Sequence, residues 1–176
     1  MAVRDLHAAA SQMWEECGLA SAEGGVHPGW GTGNRVIPLG FAYLELLGIV
    51  DADLALGSDV GRWIQQVSSD GDRLAAWSVE VDDLDEVARR LGLEVASGGR
   101  LRPDGRRLSF RLAGVEVARQ RPWLPFFVAW DHAAMRPSPQ EVSHRLEVQD
   151  LSWVEVSGDP TELEWWLGGA RLPVRF

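Results

Sequence analysis

The chain has 176 residues, 45% apolar and 24% charged, enough to build one folded domain or two small fused modules and too apolar for a disordered tail. Seventeen basic residues against 26 acidic ones leave a net charge of −9, so the phosphate-backbone attraction of a nucleic-acid binder is missing overall. A lone Cys17 removes intramolecular disulfides and cysteine metal clusters, no apolar run nears the roughly 18–20 residues of a membrane span, and no basic-then-apolar leader opens the chain. A cytoplasmic protein with no membrane partner is expected.

In chain order, the first element is a helix with Leu6, Ala9, Ala10, Met13 and Cys17 on one face, capped by Asp5 and ended by Gly18. A glycine- and proline-rich loop, His27 to Asn34, leads into strand-like segments at Asn34–Leu39 and Ala42–Leu47. Its Gly29-x-Gly31-x-Gly33 spacing is not a dinucleotide fingerprint, because no helix follows. Val60, Trp63, Ile64 and Val67 mark a short connecting helix. A second capped helix has Leu84, Val87, Ala88 and Leu91 on its apolar face, with Asp83 before it, Glu86 as a capping-box partner and Gly92 after it. Strands follow at Arg107–Leu112 and Pro125–Ala129. Arg136-Pro137-Ser138-Pro139 reads as a linker. A strand at Trp153–Val156 and a helix begun by Asp159 and Pro160, with Leu163, Trp166 and Leu167 inward, precede a last strand at Leu172–Phe176.

These elements repeat. Val3-Arg4-Asp5-Leu6 reads onto Val81-Asp82-Asp83-Leu84, Gly18-Leu19 onto Gly92-Leu93, and Gly24-Gly25 onto Gly98-Gly99. The unit is strand, helix, then about three strands. It divides the chain into a first module at 1–57 with a short first strand, a connecting helix at 58–72, a second module at 73–131, a linker at 132–143 and a C-terminal strand-helix-strand unit at 144–176. A first strand pairing near the centre of its sheet would, if this short, leave backbone groups unpaired. Homodimerisation, or a strand supplied upstream of Met1, is the expected remedy.

This organisation resembles the vicinal-oxygen-chelate superfamily. More narrowly, His27-Pro28-Gly29-Trp30-Gly31-Thr32-Gly33-Asn34, Tyr43-Leu44-Glu45-Leu46 and Trp77-Ser78-Val79-Glu80-Val81-Asp82-Asp83-Leu84-Asp85 look like the bacterial glyoxalase-like domain family. The resemblance implies an α+β fold of tandem βαβββ modules, the glyoxalase/bleomycin resistance fold, forming a cupped mixed sheet with helices on its convex face. Metal-using members of the superfamily take one ligand from the first and one from the last strand of each module. Those positions fall here on Ala76, Glu45 and Phe127, with the fourth upstream of Met1, so no metal and no cofactor are expected.

With helices on the convex face, each strand's more apolar set is expected beneath them and its polar set in the cup. Alternation then puts Tyr43, Glu45, Ser78, Ser109 and Arg111 inside, with Arg107 beside them and Phe127 by the repeat; His27, Trp30 and Asn34 are expected at the lip. An ion pair between Glu45 and Arg111 that merely fills the cup is the plainer alternative. Cys17 is expected in the core, as are Trp14, Trp63 and Trp166 on their helix faces. His7, His132 and His144 offer no metal spacing, and the seven arginines between Arg100 and Arg121 read as a solvated hairpin. The expected function is binding of a small organic, anionic or polar molecule without metal. The alternatives are a lyase or isomerase with Glu45 as general acid or base, and a dimerisation scaffold without ligand.

Overall fold

A computed structural model describes residues 1–131, 136 and 141–176. The expected linker therefore falls largely outside the described residues, as does His132. The described chain forms two compact units. One comprises Met1–Ala75, Gly99–Ser109 and His132–Leu151, the other Ala76–Gly98, Phe110–Asp131 and Ser152–Phe176. The hairpin Gly99–Ser109, which the repeat assigns to the second module, thus packs with the first unit.

In the first unit, α1 (Leu6–Cys17) is set by Asp5, whose carboxylate accepts the His7 and Ala8 N–H groups, and closed by Gly18 at φ 69°. Three antiparallel strands follow, β1 (Ala22–His27), β2 (Thr32–Leu39) and β3 (Ala42–Ile49). One sheet face packs on α1 through Val3, Ala9, Ile37 and Leu46, with Leu6, Met13, Leu39 and Leu44 around them. Two short helices, α2 (Ala52–Leu56) and α3 (Asp59–Val67), come next. Two expectations about α1 are corrected. Cys17 is exposed, and Trp14 is 40% exposed with the Arg145 guanidinium 4.7 Å above its ring, because the helix's buried face is narrow and runs through Ala9.

The first strand is reduced to Ala2, which bridges Leu47 in parallel and Arg73 in antiparallel fashion. Ala2 exchanges both backbone hydrogen bonds with Arg73, Val3 donates to the Leu47 carbonyl, and Leu47 donates to that of Met1. The groups expected to be unpaired are paired, because this strand lies beside β3, the last strand of its module.

The second unit repeats the motif. β4 (Ser78–Glu80) pairs in parallel with β7 (Phe126–Trp130), and β7 pairs antiparallel with β6 (Arg107–Ala113). Between them come α4 (Leu84–Leu91), capped by Asp83 and Gly92, β5 (Val95–Leu101) and α5 (Val115–Gln120). The core joins Leu84 and Ala88 of α4 to Ala113, Phe127 and Ala129 of the strands. Leu163 and Trp166 of α6 (Pro160–Trp166) complete it, and a small parallel pair, β8 (Val154–Glu155) and β9 (Val174–Arg175), flanks that helix. The seven main strands follow one another in the order β3-β2-β1-β5-β6-β7-β4, antiparallel where register is set except for the parallel β4–β7 pair.

Candidate functional site

Register decides which side chains share a face. In the first unit Val36 lies opposite Glu45, Asn34 opposite Leu47, Pro38 opposite Tyr43, and His27 opposite Thr32. Ile37, Leu44 and Leu46 belong to the α1 side, so Asn34, Tyr43, Glu45, His27 and Thr32 share the other face. The single register pair of β5 with β1, Leu101 opposite Val26, brings Arg100 to that same face.

The arrangement depends on two glycines. β1 carries a bulge between Glu23 and Gly25. A Cβ on Gly24 would stand 2.0 Å from Asn34 Oδ1, and one on Gly25 would stand 3.1 Å from Arg100 Cγ and 2.2 Å from the Leu101 carbonyl oxygen. The Asn34 amide and the stem of Arg100 thus lie across a strand stripped of side chains. The second copy uses its pair otherwise, with the Phe110 ring packed where a Gly98 Cβ would be.

Asn34 is buried and donates through Nδ2 to Glu45 Oε1, while its Oδ1 has no donor partner. This assigns the amide's orientation, since the reversed one would set its oxygen against a carboxylate. His27 is buried, with Nδ1 3.0 Å from Thr32 Oγ1, and its ring lies 5.2 Å from that of Trp30. Burial holds the imidazole pKa below its ordinary value; Glu45 opposes the shift and Arg100 adds to it. The loop carrying Trp30 is fixed by Gly31 at φ 66°, whose Cα faces the Ala55 amide and the Asp51 carbonyl too closely for any Cβ.

Arg100 departs from the solvated hairpin expected of its arginine run. It is 2% exposed, and its Nε and Nη2 have no hydrogen-bond partner. No carboxylate lies within 4 Å of it among the described residues. Burial pulls its pKa down, Glu45 and Tyr43 oppose that shift, and Arg102 reinforces it. The strand alternation around Gly99 held the available signal, yet a run of seven arginines resembles a solvated face until one of them is seen to cross a glycine pair.

Three expected site residues lie on the helix side of their strands. Arg111 donates through Nη1 to both oxygens of Asp85 on α4, and Arg111 is opposite Ala129 just as Ala113 is opposite Phe127. Phe127 stacks on Trp166 at 5.9 Å inside the helix-side core, and Ser109 shares the alternation of Arg111 and Ala113. The faces of the second module are therefore the reverse of those expected. α4 approaches the sheet over the small residues Ala113 and Ala129, and the bulkier Phe110 turns away to meet Gly98 and Trp130. Ser78 lies on the face away from the helices, next to the inward Val79.

A superfamily-type metal does not fit this donor set. Glu45 is the one carboxylate among the positions named, Phe127 sits in the helix-side core, and no group of three or more His, Cys, Asp or Glu among the described residues could hold an ion. Among the same residues, no helix is long and apolar enough to cross a membrane.

The sequence profile of the glyoxalase-like domain family matches residues 1–171. No curated protein matches the chain in sequence. Among solved structures, the chain is similar to a hypothetical protein from Staphylococcus aureus, with 18% identity and a TM-score of 0.53 over 68% of this chain and 53% of that one. It thus spans about half the length of that protein. Methylmalonyl-CoA epimerase from Mycobacterium tuberculosis aligns with 14% identity and a TM-score of 0.50 over 73% of this chain and 81% of that one. A variant of the Streptomyces coelicolor methylmalonyl-CoA epimerase, in complex with 2-nitronate-propionyl-CoA, aligns with 18% identity and a TM-score of 0.52 over 74% and 92%. These likenesses establish the glyoxalase/bleomycin resistance fold, α+β with paired βαβββ modules. With its repeat, its strand order and nearly its whole length matched, the chain belongs to the glyoxalase-like domain family.

Proposed function

We propose that the protein binds a small organic molecule with an anionic or polar end, without a metal, on the face of its first unit that carries Asn34, Tyr43, Glu45 and Arg100. Arg100 carries this reading. A buried guanidinium with two N–H groups lacking acceptors is costly by several kcal/mol, and an anion brought by a ligand would offset that cost. His27, whose pKa burial lowers, and Asn34, oriented by Glu45, add hydrogen-bonding groups to the same face. Ser109, Arg111 and Phe127 have no part in the proposed site, because they face the helices. Native mass spectrometry of freshly purified protein, with elemental analysis, tests the reading. A retained small molecule lost in Arg100→Gln supports it, whereas an equivalent of bound metal per chain, or a ligand insensitive to Arg100, refutes it.

A second reading is a lyase or isomerase in which Glu45 is the general acid or base. It is favoured by the fact that Glu45 is not locked to Arg111, which bonds Asp85 instead. The epimerases of similar fold belong to the same class of chemistry. Glu45→Gln separates the two readings: binding survives in both, and turnover of the bound molecule, present in the unaltered protein and absent in the variant, belongs to the second alone.

A further inference from the structure

We propose that the ligand's anionic end is a carboxylate gripped side-on by the Nε–Nη2 edge of Arg100. This rests on the reading of that face as a small-molecule site and names what the site selects. The two guanidinium nitrogens without an acceptor are not arbitrary, since Nε–H and one N–H of Nη2 point the same way from one edge of the plane. Their spacing matches the two oxygens of a planar carboxylate, the fork-to-fork geometry that makes arginine pairs bidentate.

The protein fixes the position of this edge. Arg100 is 2% exposed and its stem crosses β1 over Gly25, so the side chain is committed to the face before any ligand arrives. Of the charged groups that act on it, Glu45 already accepts from Asn34, and Arg102 lies 3.7 Å from Asp104, which also holds Arg106. Arg102 Nε also has no hydrogen-bond partner, but among the described residues only Arg100 has two such N–H groups, side by side on one edge. One carboxylate supplies an acceptor to each and adds one negative charge. A phosphate dianion would bring a second charge and a third oxygen, which the two N–H groups of this edge leave unmatched.

The test is an NMR titration of the full chain, following the Arg100 Nε–H together with the backbone amides of His27, Thr32 and Asn34. The probes are acetate and propionate, their neutral amides acetamide and propanamide, and inorganic phosphate. The carboxylates are expected to shift the Arg100 Nε–H saturably, and to bind about tenfold to hundredfold more tightly than the matched amides, the scale of a charge-assisted hydrogen bond. Arg100→Gln removes both the charge and the edge, and is expected to erase that preference; the Nε–H signal of the unaltered protein provides the answer even if the variant misfolds. Phosphate binding as tightly as the carboxylates would overturn the choice of anion. Amides matching the carboxylates, with the His27 and Asn34 amides responding, would overturn the carboxylate while leaving the face as a ligand site. Silence of every probe at every signal would refute the site and the carboxylate together.

Discussion

The glycine pair on β1 allows the architecture of the site to be tested by adding a single methyl group. In Gly25→Ala the new Cβ stands 2.2 Å from the Leu101 carbonyl oxygen, on backbone that cannot swing aside, and the residue must keep φ near 143°. Backbone strain of this kind costs about 1–3 kcal/mol, and overpacking adds roughly the same, so a loss of about 2–6 kcal/mol is expected. At about 2–4 °C per kcal/mol for a chain of this size, melting should fall by roughly 5–20 °C. Gly24→Ala meets Asn34 Oδ1, the end of a flexible side chain, which can turn away at the expense of its bond to Glu45. The loss there should be about 1.5–3 kcal/mol, accompanied by a change in the Asn34 side-chain amide resonance. Gly29 has nothing within 4 Å of its would-be Cβ, so Gly29→Ala should stay within about 0.5 kcal/mol of the parent. Thermal unfolding followed by circular dichroism ranks the three. Equal melting of the Gly25→Ala and Gly29→Ala proteins would show that Arg100 and β5 do not lie against β1 as described.

Burial keeps the folded His27 pKa below its unfolded value near 6.5, so the unfolded chain binds more protons between the two. Its contribution to stability is therefore full above about pH 6.5 and falls as pH drops toward the folded value; urea midpoints on either side of that window should show it, and His27→Gln should flatten the slope. Trp166, 4% exposed, stacked on Phe127 and donating from Nε1 to the Pro125 carbonyl at 2.8 Å, should cost about 3–5 kcal/mol on replacement by Ala, read from denaturant unfolding. Arg111→Ala removes a surface ion pair with Asp85, so stability should change by less than about 1 kcal/mol and ligand affinity not at all. A large loss of affinity would return Arg111 to the site.

Much of the fold was legible because local rules and the repeat agreed. Asp5, Asp83 and Asp159 cap helices, Gly18 and Gly92 end them, and β2 and β3 contain the strands read from alternation. Tyr43 and Glu45 were legible as one-sided residues because Leu44 and Leu46 alternate with them along β3. β6 does not: Leu108, Phe110 and Ala113 are all buried although they point to opposite faces, so hydrophobicity could not choose between them and side-chain size decided the outcome. Arg100 was hidden for a different reason. Its burial follows from a tertiary accident of two glycines on a neighbouring strand, which no pattern within its own strand encodes.

The first unit takes in a late stretch of the chain. His144 accepts the Ala20 N–H at Nδ1 and reaches the Pro38 carbonyl through Nε2, the Arg145 N–H donates to the Gly18 carbonyl, and a Cβ on Gly40 would fall 2.1 Å from the Gln149 backbone oxygen. These ties, the Gly40 approach to the Gln149 backbone oxygen among them, join residues more than a hundred positions apart. On the ribosome, the segment 1–75 emerges with its helix end, its hairpin tip and the ring of Trp14 uncovered, and stays so while the second module is synthesised. Closing such long loops is slow compared with forming local contacts. The two modules share one repeated pattern, but the first cannot be completed before the second has been made.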